Sequence, residues 1–250
     1  MSPRLAFALE AAFLAGRTTL KYFQTGAEVI TKSDDSPVTA ADKEAEELIR
    51  SMIEKKFPGE AILGEEFGGS DALSTRWVID PIDGTKSFIA GVPLYATLLS
   101  FEIEGEPQLG VAYFPALDEM IYAEIGSGCT WNGRPCHVTT NSNLSKSILC
   151  CGGHASLSKT GGMPGIISLA ERCRAMRTWC DAYGHCLVAT GRVDAMIDPV
   201  VAPWDISAIR VIVREAGGKF TDFAGGESPL VQALSTNQAL HSTILEALRR

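Results

Sequence analysis

The stretch Trp77-Val78-Ile79-Asp80-Pro81-Ile82-Asp83-Gly84-Thr85 places two aspartates three residues apart at the end of an apolar run. A strand that ends this way aims two carboxylates and a backbone carbonyl into one small volume. The glycine that follows leaves backbone N–H groups open to an anion. That is the equipment of a magnesium-dependent enzyme acting on phosphate esters. Three more acidic features stand out: Glu65-Glu66 after a short apolar strand, Asp205 after Trp204, and Asp42 near a helix start. Hard divalent cations such as Mg²⁺ take oxygen ligands, and Glu65, Asp80, Asp83, Asp205 and the Ile82 carbonyl supply enough oxygens for roughly two or three ions. No His/Cys set has zinc spacing. Each piece alone has an ordinary structural reading. Asp-Pro is a common turn, Glu65-Glu66 fits a solvated surface, and Asp205 and Asp42 both suit the first turn of a helix. The metal reading rests on their joint occurrence.

The elements that position these residues are legible in outline. Leu5, Leu9 and Phe13 recur at helical spacing, which predicts a first helix from about Pro3 to Phe23. Arg4 and the apolar residues after it faintly resemble a signal peptide, but Glu10 interrupts them and the helix is the better reading. The polar segment Lys32 to Pro37 is turn-rich and expected to be mobile. Thr39 caps a second helix that runs to about Phe57 and stops at Pro58-Gly59. Ala61 to Leu63 reads as a strand, Phe67 to Ser74 as a loop, and Trp77 to Ala123 mostly as strands, with Trp131-Asn132-Gly133-Arg134 as a hairpin turn. The polar linker Thr139 to Ser145 divides the chain into units 1–142 and 143–250. In the second unit strands near 147–150, 176–178, 195–197 and 230–233 alternate with helices near 164–172, 182–190, 202–216 and 237–248, which implies an α/β layer.

Composition narrows the partners. The 250 residues carry a net charge of -8, with 46% hydrophobic and 21% charged residues. No basic stripe is present, which argues against nucleic acid. No apolar run is long enough to cross a bilayer. An acidic protein binds a phosphate ester when metal ions reverse the local field. Seven cysteines without a CxxC pair fit reduced thiols in a cytoplasm.

Gly64-Glu65-Glu66, Trp-x-x-Asp-Pro-Ile-Asp-Gly-Thr and Pro203-Trp204-Asp205 followed by Glu215-Ala216-Gly217-Gly218 together resemble the inositol monophosphatase family. Lys32, Ser36-Pro37-Val38-Thr39 and Asp42 are similar to its N-terminal motif, so the resemblance spans nearly the whole chain. It implies an α/β (α+β) layered α-β-α-β-α sandwich like that of inositol monophosphatase and fructose-1,6-bisphosphatase, two or three Mg²⁺ ions, a homodimer, and hydrolysis of small phosphomonoesters. It implies Glu65, Asp80, Asp83, Asp205 and the Ile82 carbonyl as metal ligands. Asp42, Thr85 and Glu65 become catalytic, with Thr85 and Asp42 orienting and helping to deprotonate the attacking water. Gly84 and Thr85 become phosphate donors. Such chemistry is in-line attack on phosphorus with charge neutralisation, and it needs no covalent intermediate.

The substrate rests on finer features. Lys86-Ser87-Phe88 and Arg177 to His185 resemble histidinol-phosphate phosphatases of the same superfamily, with Cys180 departing from the glycine usual there. Histidinol carries an ammonium and a partly protonated imidazole. A site for it needs carboxylates beyond those that metal consumes. Asp181 and Asp198, beside Asp83 and Asp205, are the substrate-binding candidates. Asp181 as a helix cap is the plain alternative. His185 reads as a packed residue, His154 as a loop residue, Trp179 and Trp204 as structural with a pocket wall as the alternative for Trp179, and Lys86 and Arg192 as solvated charges. The competing functions are an inositol-1-monophosphatase or broad sugar-phosphate phosphatase, a 3′-nucleotidase, and an inactive metal-binding module. The intact acidic set argues against the last.

Overall fold

Two helices cover the first sheet because each carries one apolar stripe. In the computed structural model, which describes residues 1–26, 29–31, 37–69, 74–179, 181–227 and 230–249, α1 spans Pro3–Thr19 and buries Leu5, Ala8, Ala11, Ala12 and Ala15. Ser2 caps it by accepting from the Leu5 N–H. It stops short of Phe23 because the Thr18 and Thr19 hydroxyls donate to the Ala15 and Gly16 carbonyls and the chain turns away. Helix α2 (Ala40–Lys56) starts at a reciprocal Thr39/Asp42 cap and buries Ala41, Ala45, Ile49 and Ile53. Between the helices, β1 (Val29–Thr31) pairs antiparallel with β2 (Pro37–Thr39). The expected mobile segment at 32–36 lies outside the described residues.

The main sheet has the strand order β10-β9-β8-β7-β6-β5-β3-β4. Its strands are β3 (Ala61–Gly64), β4 (Gly68–Gly69), β5 (Thr75–Asp83), β6 (Ala96–Ile103), β7 (Glu106–Phe114), β8 (Glu119–Glu124), β9 (Cys129–Trp131) and β10 (Arg134–Cys136). Only β3 and β5 run parallel; the other pairs are antiparallel. Thus β4 forms inside the expected 67–74 loop, of which 70–73 is not described. Short helix α3 (Thr85–Ile89) follows β5 directly. Alternate residues of this sheet face opposite layers. Trp77, Ile79, Leu99, Phe101, Val111 and Tyr113 pack on α1 and α2, whereas Ala96, Leu98, Ala112 and Phe114 face the other way.

The second sheet, β12-β11-β13-β15-β14, follows the 3₁₀ turn Leu144–Lys146. It contains β11 (Ile148–Cys151), β12 (Ala175–Arg177), β13 (Ala195–Asp198), β14 (Lys219–Thr221) and β15 (Ala233–Thr236). Its helices are α4 (His154–Lys159), α5 (Met163–Arg172), α6 (Asp181–Ala189), α7 (Pro203–Glu215) and α8 (His241–Leu248). Cys150 and Met196 face α6; Leu149, Cys151, Ala195 and Ile197 face α4, α5 and α8. The layers are therefore α1/α2, main sheet, α6/α7, second sheet, and α4/α5/α8. This is the expected α-β-α-β-α sandwich. All strands of the main sheet precede residue 137 and all of the second follow 147, so we propose 1–142 and 143–250 as the two folding units, with α7 packing back on the first.

Some boundaries differ from the sequence reading. The strand expected at 230–233 lies at Ala233–Thr236, where both faces are buried. Strand β14 pairs with it and was hidden by its brevity. The last helix starts at His241, because Asn237 instead ties Thr139, Asn141 and the Leu240 N–H. His154 opens α4 and is not a loop residue.

Helix α7 matters most, since it carries Asp205. It lies against β7 at Gly110, where a Cβ would sit 2.3 Å from the Ala208 carbonyl oxygen. A polar chain fastens it as well: Ser100 donates to Ser207, Ser207 to Glu102, and Arg76 pairs with Glu102 at 2.7 Å. Gly110→Val should therefore cost about 1–3 kcal/mol by overpacking. Urea unfolding checks this, and an unchanged midpoint would contradict the close approach.

Candidate functional site

The end of β5 breaks its pairing register between Asp80 and Asp83. That irregularity lets both carboxylates point to the same side. Asp80 is 1% exposed, and one of its oxygens accepts from the Ile82 N–H at 3.1 Å. Thr97 donates to the Pro81 carbonyl and Thr85 to the Ile82 carbonyl, fixing the turn. Gly84 follows with φ +80°, a conformation a glycine accepts freely.

Asp205 reaches the same place from the first turn of α7, where its Oδ2 accepts from the Ala202 N–H at 2.8 Å. Carboxylate oxygens of Asp80, Asp83 and Asp205 lie within 4.8 Å of one another. Glu65, one residue past β3, hydrogen-bonds the Asp80 carboxyl. Burial, then repulsion from Glu65, Asp83 and Asp205, raises the Asp80 carboxyl well above its ordinary value. Burial, then Asp181 and Asp205, does the same for Asp83. Burial pushes Asp205 up to about 7. Three crowded, buried carboxylates form an all-oxygen set that suits a hard divalent cation.

Asp181, the first residue of α6, has φ +57°, which aspartate tolerates better than most residues. A Cβ on Gly84 would lie 3.2 Å from Asp181 Oδ2, so the Asp181 carboxylate faces the turn after β5. The Ala182 N–H donates to Asp83 Oδ2 at 2.7 Å, joining α6 to β5. The acids Glu65, Asp80, Asp83, Asp181 and Asp205 line one cavity of about 150 Å³ together with Ile82, Gly84, Thr85 and Lys86. Lys86 is solvent-exposed, as expected, and also forms part of this wall. Its place directly after Asp-Gly-Thr was the signal. A larger cavity of about 620 Å³ between α1 and α2 has Lys55, Lys56 and Glu10 on an apolar lining and no convergent acids.

Asp42 and Asp198 stand behind that wall. The capping reading of Asp42 holds. Its Oδ2 accepts from the Thr39 N–H and hydroxyl at 2.7 Å, while its buried Oδ1 has no partner. Burial chiefly, and Glu65 in addition, raises its carboxyl. The Thr85 hydroxyl bonds the Ile82 carbonyl and not Asp42. Asp198 ends β13; burial, then Asp181 and Asp205, pushes it up to about 8.

Arg192 differs from expectation, and Trp179 walls a cavity beside the acidic one. Arg192 does not face solvent: it stacks 4.4 Å over Trp131 and reaches both Glu119 oxygens. Trp179, 39% exposed, lines a neighbouring cavity of about 350 Å³ with Leu94, Tyr183 and Leu187, outside the acidic one. Cys180 lies outside the described residues. The six described cysteines carry no disulfide. No described helix is long and apolar enough to cross a membrane.

The sequence profile of the inositol monophosphatase family matches residues 1–250. The chain belongs to the inositol monophosphatase family. A histidinol-phosphatase of Chlorobaculum parvum is 42% identical over 99% of this chain and 97% of its own length. An inositol-1-monophosphatase of Mesorhizobium japonicum is 31% identical over 97% of this chain and 94% of its own. Among solved structures, an IMPase of Thermotoga maritima superposes with a TM-score of 0.92 at 32% identity, covering 99% and 97% of the two chains. Membership makes the chain a phosphatase-family protein, and the relatives divide over which phosphate ester they are named for.

Proposed function

We propose that this protein is a Mg²⁺-dependent phosphomonoesterase that converts L-histidinol phosphate to L-histidinol. The carrying observation is the Asp181 carboxylate, which faces Gly84 at the edge of the acidic cavity and adds negative charge beyond the Asp80/Asp83/Asp205 set. A neutral polyol has no use for it, whereas a substrate with an ammonium does. The 42% identical relative named histidinol-phosphatase supports the same reading.

Glu65, Asp80, Asp83, Asp205 and the Ile82 carbonyl would hold the cations. Bound there, Mg²⁺ supplies Lewis-acid neutralisation of the phosphate and acidifies water for in-line attack. The chain's own groups then do the positioning. Thr85 and the unpartnered Asp42 Oδ1 would orient the water, Asp42 would take up its proton, and Glu65 would act beside them from the cation set. Gly84 and Thr85 offer N–H groups to phosphate oxygens. Asp181 and Asp198, next to Asp83 and Asp205, pair with the cationic end of the alcohol. We place this activity in histidine biosynthesis in the cytoplasm, carried out by a homodimer. The unpaired thiols and the named relative support that placement.

Asp181→Asn keeps the left-handed backbone and removes only the charge. It should lower kcat/KM for L-histidinol phosphate about 10–100-fold, the weight of one charge-assisted contact, and leave inositol 1-phosphate within a factor of about two. Phosphate release with Mg²⁺ measures both. A wild-type rate on inositol 1-phosphate far above that on histidinol phosphate would overturn the substrate assignment in favour of the inositol reading.

A further inference from the structure

His185 sits one helical turn after Asp181 on α6, so the two side chains share a face. It is 2% exposed and packs beside Phe220. Its two ring nitrogens have different surroundings. Nδ1 lies 2.6 Å from the Ser235 hydroxyl. Nε2 is buried, has no hydrogen-bond partner, and points to Asp198, 4.0 Å from its Oδ2. A buried polar atom left unpaired costs about 1–3 kcal/mol, so its direction calls for a reason.

We propose that His185 is a positioning residue, which donates from Nε2 to Asp198 and holds that carboxylate toward the cationic end of the substrate. The inference rests on the substrate reading above. The sheet supports it. Ser235 lies opposite Met196 in the β15/β13 pair, and Asp198 is two residues further along β13. Residues two apart on a strand point to the same face. Met196 and Asp198 therefore both look toward α6, and the ring is clamped between Ser235 and Asp198. The other Asp198 oxygen packs at Gly152, where a Cβ would approach it to 2.9 Å. The backbone at Val200 follows two residues on and favours the ionised carboxyl. Its orientation is then set by His185 on one oxygen and the Gly152 backbone on the other.

The tautomer follows from the same contacts. Burial keeps the imidazole neutral, with its pKa lowered to about 3. One nitrogen then carries the proton, and with a substrate ammonium holding Asp198 ionised the carboxylate favours Nε2. The Ser235 hydroxyl donates to Nδ1. The relay runs Ser235 O–H to Nδ1, then Nε2–H to Asp198. A small rotation of the Asp198 side chain closes the remaining gap when an ammonium binds the outer oxygen.

A histidine that merely packs would affect every substrate alike when replaced. The test uses steady-state kinetics on L-histidinol phosphate and on p-nitrophenyl phosphate, whose alcohol carries no cation. His185→Leu should raise KM for histidinol phosphate about 10-fold, with kcat within about twofold, the pattern of lost ground-state binding. KM for p-nitrophenyl phosphate should stay within about twofold. His185→Gln, which restores a donor, should recover most of the affinity. Added to Asp198→Asn, the leucine change should have little further effect, since the two act as one unit. Should His185→Leu fail to fold, Ser235→Ala carries the test: it leaves the ring in place and should raise the histidinol phosphate KM about 2–5-fold. Equal shifts on both esters, an unchanged KM in the variants that fold, or full additivity with Asp198→Asn overturns the inference while the substrate reading stands. A wild-type enzyme that ignores histidinol phosphate overturns both, and does so before any variant is made.

Discussion

Asp80→Asn leaves a folded protein that no longer releases phosphate in Mg²⁺, with kcat/KM down on the order of 10³-fold or more, since a cation's charge stabilisation is worth several kcal/mol and each 1.36 kcal/mol is tenfold. The substitution is nearly isosteric, and the Ile82 N–H keeps an oxygen to bond. What changes is charge. Asp80 is surrounded by Glu65, Asp83 and Asp205 and is fully buried. On the proposed function a cation joins this carboxylate and offsets its burial, so removing it should weaken metal binding and chemistry together. The same substitution has the opposite effect on stability without metal. One of several mutually repelling buried charges is gone, so in chelator the variant should melt above wild type. Calorimetry in EDTA and in Mg²⁺ shows both halves. A variant as active as wild type would remove Asp80 from the metal set. A variant less stable than wild type in EDTA would contradict the repulsion.

The chelated wild-type protein should lose stability as pH rises from about 5 to 8, the reverse of ordinary acid denaturation. Asp205 titrates at about 7 and Asp198 at about 8 in the folded chain, both because of burial. Unfolded, each falls near the usual aspartate value of about 3.9. Between these limits the folded chain holds more protons than the unfolded one. Unfolding releases them, so stability falls with pH by up to about 1.4 kcal/mol per unit for each group. His185 works in the other direction. Its folded value is depressed to about 3. Below about 6.5 the unfolded imidazole takes up a proton that the folded one refuses, so its stability contribution is lost as pH falls toward 3. Asp80 and Asp83 add to the acidic side, their carboxyls being raised as well. The raised carboxyls of Asp42, Asp80, Asp83, Asp198 and Asp205 outweigh the lowered imidazoles of His185 and His241 over most of this window. Saturating Mg²⁺ should flatten or invert the profile, because the cation replaces the protons. Thermal melts across pH, with and without Mg²⁺, decide it. A chelated protein that grows more stable toward pH 8 would mean the carboxylates are compensated by something other than a cation.

The layers and the acidic set were legible because they are written locally. Alternation and helical stripes marked α1, α2, β6 to β8 and α7. Asp80, Asp83, Glu65 and Asp205 each sit at the end of a strand or the start of a helix, where sequence signals are strongest. What stayed hidden depends on pairing at a distance. Strands β1, β2, β4 and β14 have two or three residues each and exist because a neighbour holds them. Arg192 looked like a surface charge, since nothing local predicts that Trp131 and Glu119 come to it from the other half of the chain. His185 showed its burial through an apolar helix but not its partners, which lie on two strands of the second sheet.

The hydrogen bond from the Ala182 N–H to Asp83 Oδ2 has a thermodynamic consequence. One oxygen of a residue proposed to hold the cation also anchors the first turn of α6, and Asp181 begins that turn. A cation that draws on Asp83 therefore shifts the energy of the segment that meets the alcohol, and an alcohol that settles against Asp181 shifts Asp83 in return. By linkage the two affinities change by the same factor. Histidinol, the product without its phosphate, should then tighten Mg²⁺ binding as much as Mg²⁺ tightens histidinol binding. On the proposed function, occupancy of the inorganic and organic halves of the pocket would be a single cooperative variable, carried by one short contact between two segments 99 residues apart.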